Sequence, residues 1–145
     1  MKHISSFKTA LLRFIRPIPA QVYSVNDPVG LKFLTRLRLN LSHLREHKFK
    51  HKFQDTLSPL CSCSLESESV RHYLLHCLFY SVQRKTLLDS LLAIDESISN
   101  LSEENLVRLL LYGDSNLYST ATNSQIIKCT LCFIKTSERF DVALL

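Results

Sequence analysis

The apolar residues of this chain come in short periodic stretches, and most have a helical period. Between residues 28 and 53, Leu31, Leu34, Leu37 and Leu41 recur at spacings of three and four, while Lys32 and Arg36 stand one turn apart off that stripe. Asp27 ahead of Pro28 pairs an N-cap with a proline at the first helical position, so a helix is predicted to start there. A second, short helix is predicted over residues 43–53, and Ser58-Pro59 marks a turn. Residues 60–63 are too few and too polar for a helix and read as a small hairpin or knuckle. Helical spacing restarts at Ser69 with Val70, Tyr73, Leu74 and Cys77, which predicts that Cys77 faces inward. A further amphipathic helix is predicted over residues 82–94 with Leu88, Leu91 and Leu92. Ser102 before Glu103 and Glu104 opens another, its acids on the positive end of the helix dipole, and Gly113 stands where its C-cap belongs. The last helix is predicted from residue 123 to about 140, with Ile127, Leu131 and Ile134 on one face. Residues 112–122 read as the longest loop. The expected fold class is mostly α, a small multi-helix domain with a short knuckle or hairpin.

Composition narrows what such a domain can do. At 145 residues, 46% apolar and 21% charged, the chain fits one ordinary globular core. Its only glycines are Gly30 and Gly113, which excludes the glycine-rich dinucleotide turn, the phosphate loop and the serine-hydrolase elbow. No Asp-Asp pair is present, and no catalytic activity of its own is expected. No run of about 18 apolar residues occurs, so no membrane partner is expected and the chain reads as soluble and intracellular, in cytoplasm or nucleus. The formal net charge of +5 is unevenly spread: residues 1–52 hold eleven Lys/Arg against Asp27 and Glu46, a net of +9, and the remainder is net −4. Residues 1–26 carry Lys2, Lys8, Arg13 and Arg16 without an acid, and with Pro17 and Pro19 they read as a basic lead-in rather than a transit peptide. Lys32, Arg36, Arg38, Arg45, Lys48, Lys50 and Lys52, interleaved with Phe33, Phe49 and Phe53, are the candidate contacts to RNA or DNA phosphates.

Candidate chemistry concentrates in one place. Cys61-Ser62-Cys63, His72 and Cys77 form a C-x-C-x8-H-x4-C cluster, with His76 as a fifth candidate. Structural zinc takes four Cys or His donors in a tetrahedron, commonly two from a turn and two from a following helix, and either histidine fits that layout. Two weaker motifs accompany it. His43-Leu44-Arg45-Glu46-His47 matches the H-x-x-E-H metalloprotease pattern, but it sits among cations and reads as a solvated or nucleic-acid-facing helix. Cys129-Thr130-Leu131-Cys132 lies in an apolar helical run and reads as buried core cysteines rather than a redox motif.

The segments Pro28-Val29-Gly30-Leu31-Lys32-Phe33-Leu34-Thr35-Arg36-Leu37-Arg38, Ser42-His43-Leu44-Arg45-Glu46-His47-Lys48-Phe49, Pro59-Leu60-Cys61-Ser62-Cys63 and His72-Tyr73-Leu74-Leu75-His76-Cys77 together resemble the zinc-binding region at the C-terminal end of non-LTR retrotransposon reverse transcriptases. The resemblance covers roughly residues 27–95 and, more weakly, the tail through Phe140. It implies Cys61, Cys63, His72 and Cys77 as ligands of a structural Zn2+, with His76 at a variable position. It further implies a role in holding RNA or DNA, and an upstream polymerase domain as partner, the chain being a fragment without the polymerase core. Ser64 stands where that pattern often has glycine, and Leu78 where it often has proline. The expected organisation is a lead-in over 1–26, a zinc-binding helical domain over 27–95 and a C-terminal helical segment over 96–145 packing on it. The alternative expectation is a helical protein–protein interaction fragment with no metal site.

Overall fold

The structure, a computed structural model, describes residues 25–140. Most of the expected lead-in therefore lies outside the described residues, although Val25 is buried in the core. The chain is mostly helical, with α1 (Pro28–Arg38), α2 (Arg45–Lys50), α3 (Ser81–Ile94), α4 (Glu103–Tyr112) and α5 (Thr120–Ser137). Between α2 and α3 stand a π turn (His72–His76) and a 3₁₀ turn (Leu78–Tyr80), and a second 3₁₀ turn (Glu96–Asn100) follows α3. The only β-pairing among the described residues is an isolated antiparallel bridge between Leu60 and Ser67, the base of the knuckle.

Helix starts follow their caps. Asp27 accepts from the Gly30 N–H at 3.0 Å and Ser102 from the Asn105 N–H, as the sequence predicts, and Ser119 starts α5 one turn earlier than expected by accepting from Thr122. α2 has no cap of its own. The buried Glu68 supplies one from across the chain: its Oε1 accepts from the Arg45 N–H at 2.7 Å, a carboxylate set against the positive end of the helix. Gly113 ends α4 at φ +68°, and a Cβ there would meet Asn123 Oδ1 at 2.6 Å. That oxygen is committed to the Asp114 N–H, while the Asn123 amide group donates to the Asp114 and Tyr118 carbonyls, closing the loop into α5.

α5 runs through the core and packs on α3, α4 and α1. Its buried Ile126, Ile127, Leu131, Phe133 and Ile134 meet Leu34 and Leu37 of α1, Leu87 and Leu91 of α3 and Leu109–Leu111 of α4 in a single cluster. Segments on both sides of residue 95 thus share one core. Several expectations are corrected. Leu41 is exposed because α1 ends at Arg38, and Leu92 lies on the solvent side of α3, which buries Leu87 instead. Cys132 is exposed and Cys129 half-buried, so this pair is not core as a unit. The longest irregular stretch is not residues 112–122 but residues 51–69, where burial gives way to turn hydrogen bonds.

Candidate metal centre

The knuckle holds its cysteines by backbone bonds. The Glu68 N–H donates to the Pro59 carbonyl and the Cys61 N–H to the Glu66 carbonyl, both at 2.9 Å, and the Ser64 N–H returns to the Cys61 carbonyl. Ser64 closes this turn at φ +65°, the left-handed region, which is where the resembled pattern often carries glycine.

The second half of the site depends on a departure from α geometry. At about 100° per residue, His72 and Cys77 would stand about 140° apart around an α-helix. The chain instead widens into a π turn, and the Cys77 N–H donates to the His72 carbonyl at 2.8 Å, an i to i+5 bond that brings the two side chains to one side. Cys77 then leaves the helix with ψ 125°. Arg84, buried in α3, receives the loose end: its guanidinium donates to the carbonyls of Leu74 (2.9 Å), Tyr73 (3.3 Å) and Cys77 (2.8 Å).

The result is convergence of four donors. Cys61, Cys63 and Cys77 Sγ and a ring nitrogen of His72 all lie within 4.8 Å of one another, so the cluster can hold a metal ion. Around zinc, with bonds of about 2.3 Å to sulfur and about 2.0 Å to nitrogen, the edges of a tetrahedron measure about 3.8 Å between sulfurs and about 3.5 Å between sulfur and nitrogen. The Cys61–Cys77 sulfurs are 3.8 Å apart and Cys63 Sγ is 3.3 Å from His72 Nε2. The sulfur separation is far beyond a disulfide bond of about 2.05 Å. Burial pushes the Cys61 thiol up to about 12 and also raises Cys77, so these two keep their protons until a cation replaces them. At Cys63 burial acts the same way, but the N–H groups of Leu65 and Glu66 help bring it below its ordinary value.

Glu66 was not singled out in the sequence. Its Oε1 lies 2.6 Å from His72 Nδ1, which fixes the ring with Nε2 turned to the sulfurs, the carboxylate–histidine arrangement found behind metal ligands. A carboxylate six residues before the candidate histidine was the available signal. His76, left open by spacing, sits outside the four-donor cluster: Nδ1 is 2.9 Å from the same Glu66 oxygen and Nε2 is 2.8 Å from Glu103 at the start of α4. The buried Glu68, also unanticipated, receives Arg139 bidentately at 2.8 and 2.7 Å and so ties the chain after α5 to the base of the knuckle. Compared with known proteins, the chain matches no family model, no curated protein and no solved structure.

The basic candidates divide. Lys32, Arg45, Lys50 and Lys52 are exposed, Arg36 and Lys48 are half-buried, and Arg38 is buried at 7% exposure. Arg38 is removed from the candidate surface: its Nε donates to the Leu111 carbonyl at 2.5 Å and its guanidinium stacks over Tyr112, which joins α1 to α4. Lys48 pairs with Asp55 at 2.5 Å. Burial and the nearby cations Arg36, Lys48 and Arg139 hold His43 below its ordinary value. Phe33 is core, stacked on Phe140 at 5.3 Å, so of the interleaved aromatics only Phe49 and Phe53 reach solvent. The H-x-x-E-H residues do not form a metal-holding group among the described residues; His47 is buried with Nδ1 2.6 Å from Ser42 Oγ while His43 is exposed.

Proposed function

We propose that the chain is a structural zinc module that binds nucleic acid, of the kind found at the C-terminal end of non-LTR retrotransposon reverse transcriptases. The observation that carries the reading is the convergence of three sulfurs and one imidazole nitrogen within 4.8 Å of one another, with the Cys61–Cys77 and Cys63–His72 pairs near the edge lengths of a zinc tetrahedron. Three soft thiolates and an imidazole suit zinc, and four protein donors leave no open position for a reacting water. The metal therefore holds the fold and carries no chemistry of its own. Arg36, Arg45, Lys50, Lys52 and Lys32 supply the attraction for phosphate, and a polymerase domain is the partner that the resemblance implies.

The test is elemental analysis of the purified chain together with binding measured against salt. One zinc per chain is expected, absent from Cys61→Ser. If about four cations engage phosphates, log K falls against log salt with a slope of about −3 to −4 on duplex. A chain that carries no metal while residues 58–80 stay ordered would overturn the zinc module. The second reading, a helical interaction fragment, is favoured by exposed Leu78 and Phe79 of the 3₁₀ turn and Val82 of the first turn of α3. It requires a chain that folds without metal and does not bind nucleic acid.

A further inference from the structure

Resting on the nucleic-acid reading above, the geometry points to a more specific ligand: single-stranded nucleic acid, its unpaired bases stacked on Phe49 and Phe53. Both rings are about half presented to solvent, at 44% and 48% exposure, whereas Phe33 on the neighbouring helix is buried in the core. They are also held in place. After α2 the Lys52 N–H donates to the Phe49 carbonyl and the Phe53 N–H to the Lys48 carbonyl, and Lys52 takes a left-handed φ of +57°, so the chain turns back and fixes the two aromatics on a short rigid support.

Their surroundings select the occupant. Lys48 Nζ lies over one face of the Phe53 ring, 5.7 Å from its centre, so a base would stack on the opposite face, and Arg45, Lys50, His51 and Lys52 belong to the same eleven-residue stretch, 43–53, whose one acid is Glu46. An apolar protein partner would leave those cations stranded, whereas a polyanion matches them. Lys48 is engaged by Asp55, so the phosphate contacts fall on Arg45, Lys50 and Lys52; the Lys50–Glu46 pair is a surface i, i+4 pair that costs little to exchange. Duplex nucleic acid offers phosphates but hides its base faces, so it gains nothing from the rings. An unpaired strand offers both. Phenylalanine stacks on any base and has no hydrogen-bonding group with which to choose among them, so recognition is of strandedness rather than sequence.

Fluorescence anisotropy with the zinc-loaded full chain decides it, using labelled oligothymidine and oligouridine of about twelve nucleotides and a duplex of the same length. The single strands should bind about tenfold or more tightly than the duplex. Phe49→Ala and Phe53→Ala should each lower single-strand affinity by about tenfold, with duplex affinity, salt slope and zinc content unchanged. Phe53→Leu, which keeps apolar bulk but not a planar face, should behave like the alanine variant, and Phe53→Trp should restore binding. Equal affinity for duplex and single strand, or alanine variants without effect on single strands, overturns this inference while leaving the nucleic-acid reading intact. Binding to none of the probes overturns both.

Discussion

At the scale of single residues, the centre is set by which group each atom faces. His72 and His76 both touch Glu66, yet only His72 presents its other nitrogen to sulfur. His72→Ala should therefore abolish metal binding, whereas His76→Ala should keep the metal and lose only its links to Glu66 and Glu103. Glu66→Gln, which removes the charge behind His72, should weaken metal affinity by about 10- to 100-fold, read by competition with a chromophoric chelator. Asp27 gives a prediction about acid. Burial works to raise its carboxyl, but the Lys135 ammonium and the Gly30 N–H outweigh it and hold the group below its usual 3.8. A carboxyl depressed in the folded state contributes stability that is complete above the unfolded value and is lost as pH falls through the folded one. Asp27→Ala should cost about 1–2 kcal/mol at neutral pH, and the gap from the parent chain should begin to narrow below about pH 4. Asp27→Asn should keep the cap and lose the pH-dependent part.

At the scale of elements, the sequence shows α1 and α4 clearly, because each is opened by a capping residue ahead of its apolar face, and α5 by its isoleucine and leucine face alone, since its cap Ser119 falls in the stretch that reads as a loop. The π turn was not legible. Val70, Tyr73, Leu74 and Cys77 have the spacing of a continuous α-helix, and the group that accommodates the departure lies elsewhere in the chain: Arg84 donates to three carbonyls at the end of the turn, where a helix leaves its own carbonyls without partners. The candidate cysteine donors could be read from spacing, which left His72 and His76 open; the π turn is what brings His72 to the sulfurs. Glu68 as the cap of α2 was equally hidden, since it lies 23 residues from the N–H it receives. Arg84→Met should cost about 3 kcal/mol by leaving those carbonyls without a donor. It should also weaken metal binding, because the Cys77 carbonyl is one of the three. Denaturant unfolding with and without excess zinc separates the two effects.

For the whole molecule, the core and the knuckle are stabilised by different means. α1, α3, α4 and α5 bury leucine and isoleucine against one another, while residues 51–69 place only Cys61, Thr56 and Glu68 in the interior. Their order rests on turn bonds, the Glu68–Arg139 pair and, in the proposed reading, the bound metal. A structural zinc of this kind supplies about 10 kcal/mol, far more than those turns can provide alone. A strong chelator should therefore abolish hydrogen-exchange protection in residues 58–80 while the core helices keep theirs. Loss of protection everywhere at once would show that the metal sets the whole fold.

Tyr73 sits at the join between these parts. It follows the ligand His72, is fully buried, bonds Ser137 through its hydroxyl at 2.7 Å, and packs its ring against Tyr80, Phe133 and Phe140. The chain has five tyrosines and no tryptophan. An ultraviolet chromophore held in so asymmetric a cage, one residue from a donor atom, makes the unlabelled chain its own indicator: filling and emptying of the centre should register as a change in tyrosine near-ultraviolet circular dichroism, and Tyr73→Phe should silence most of it.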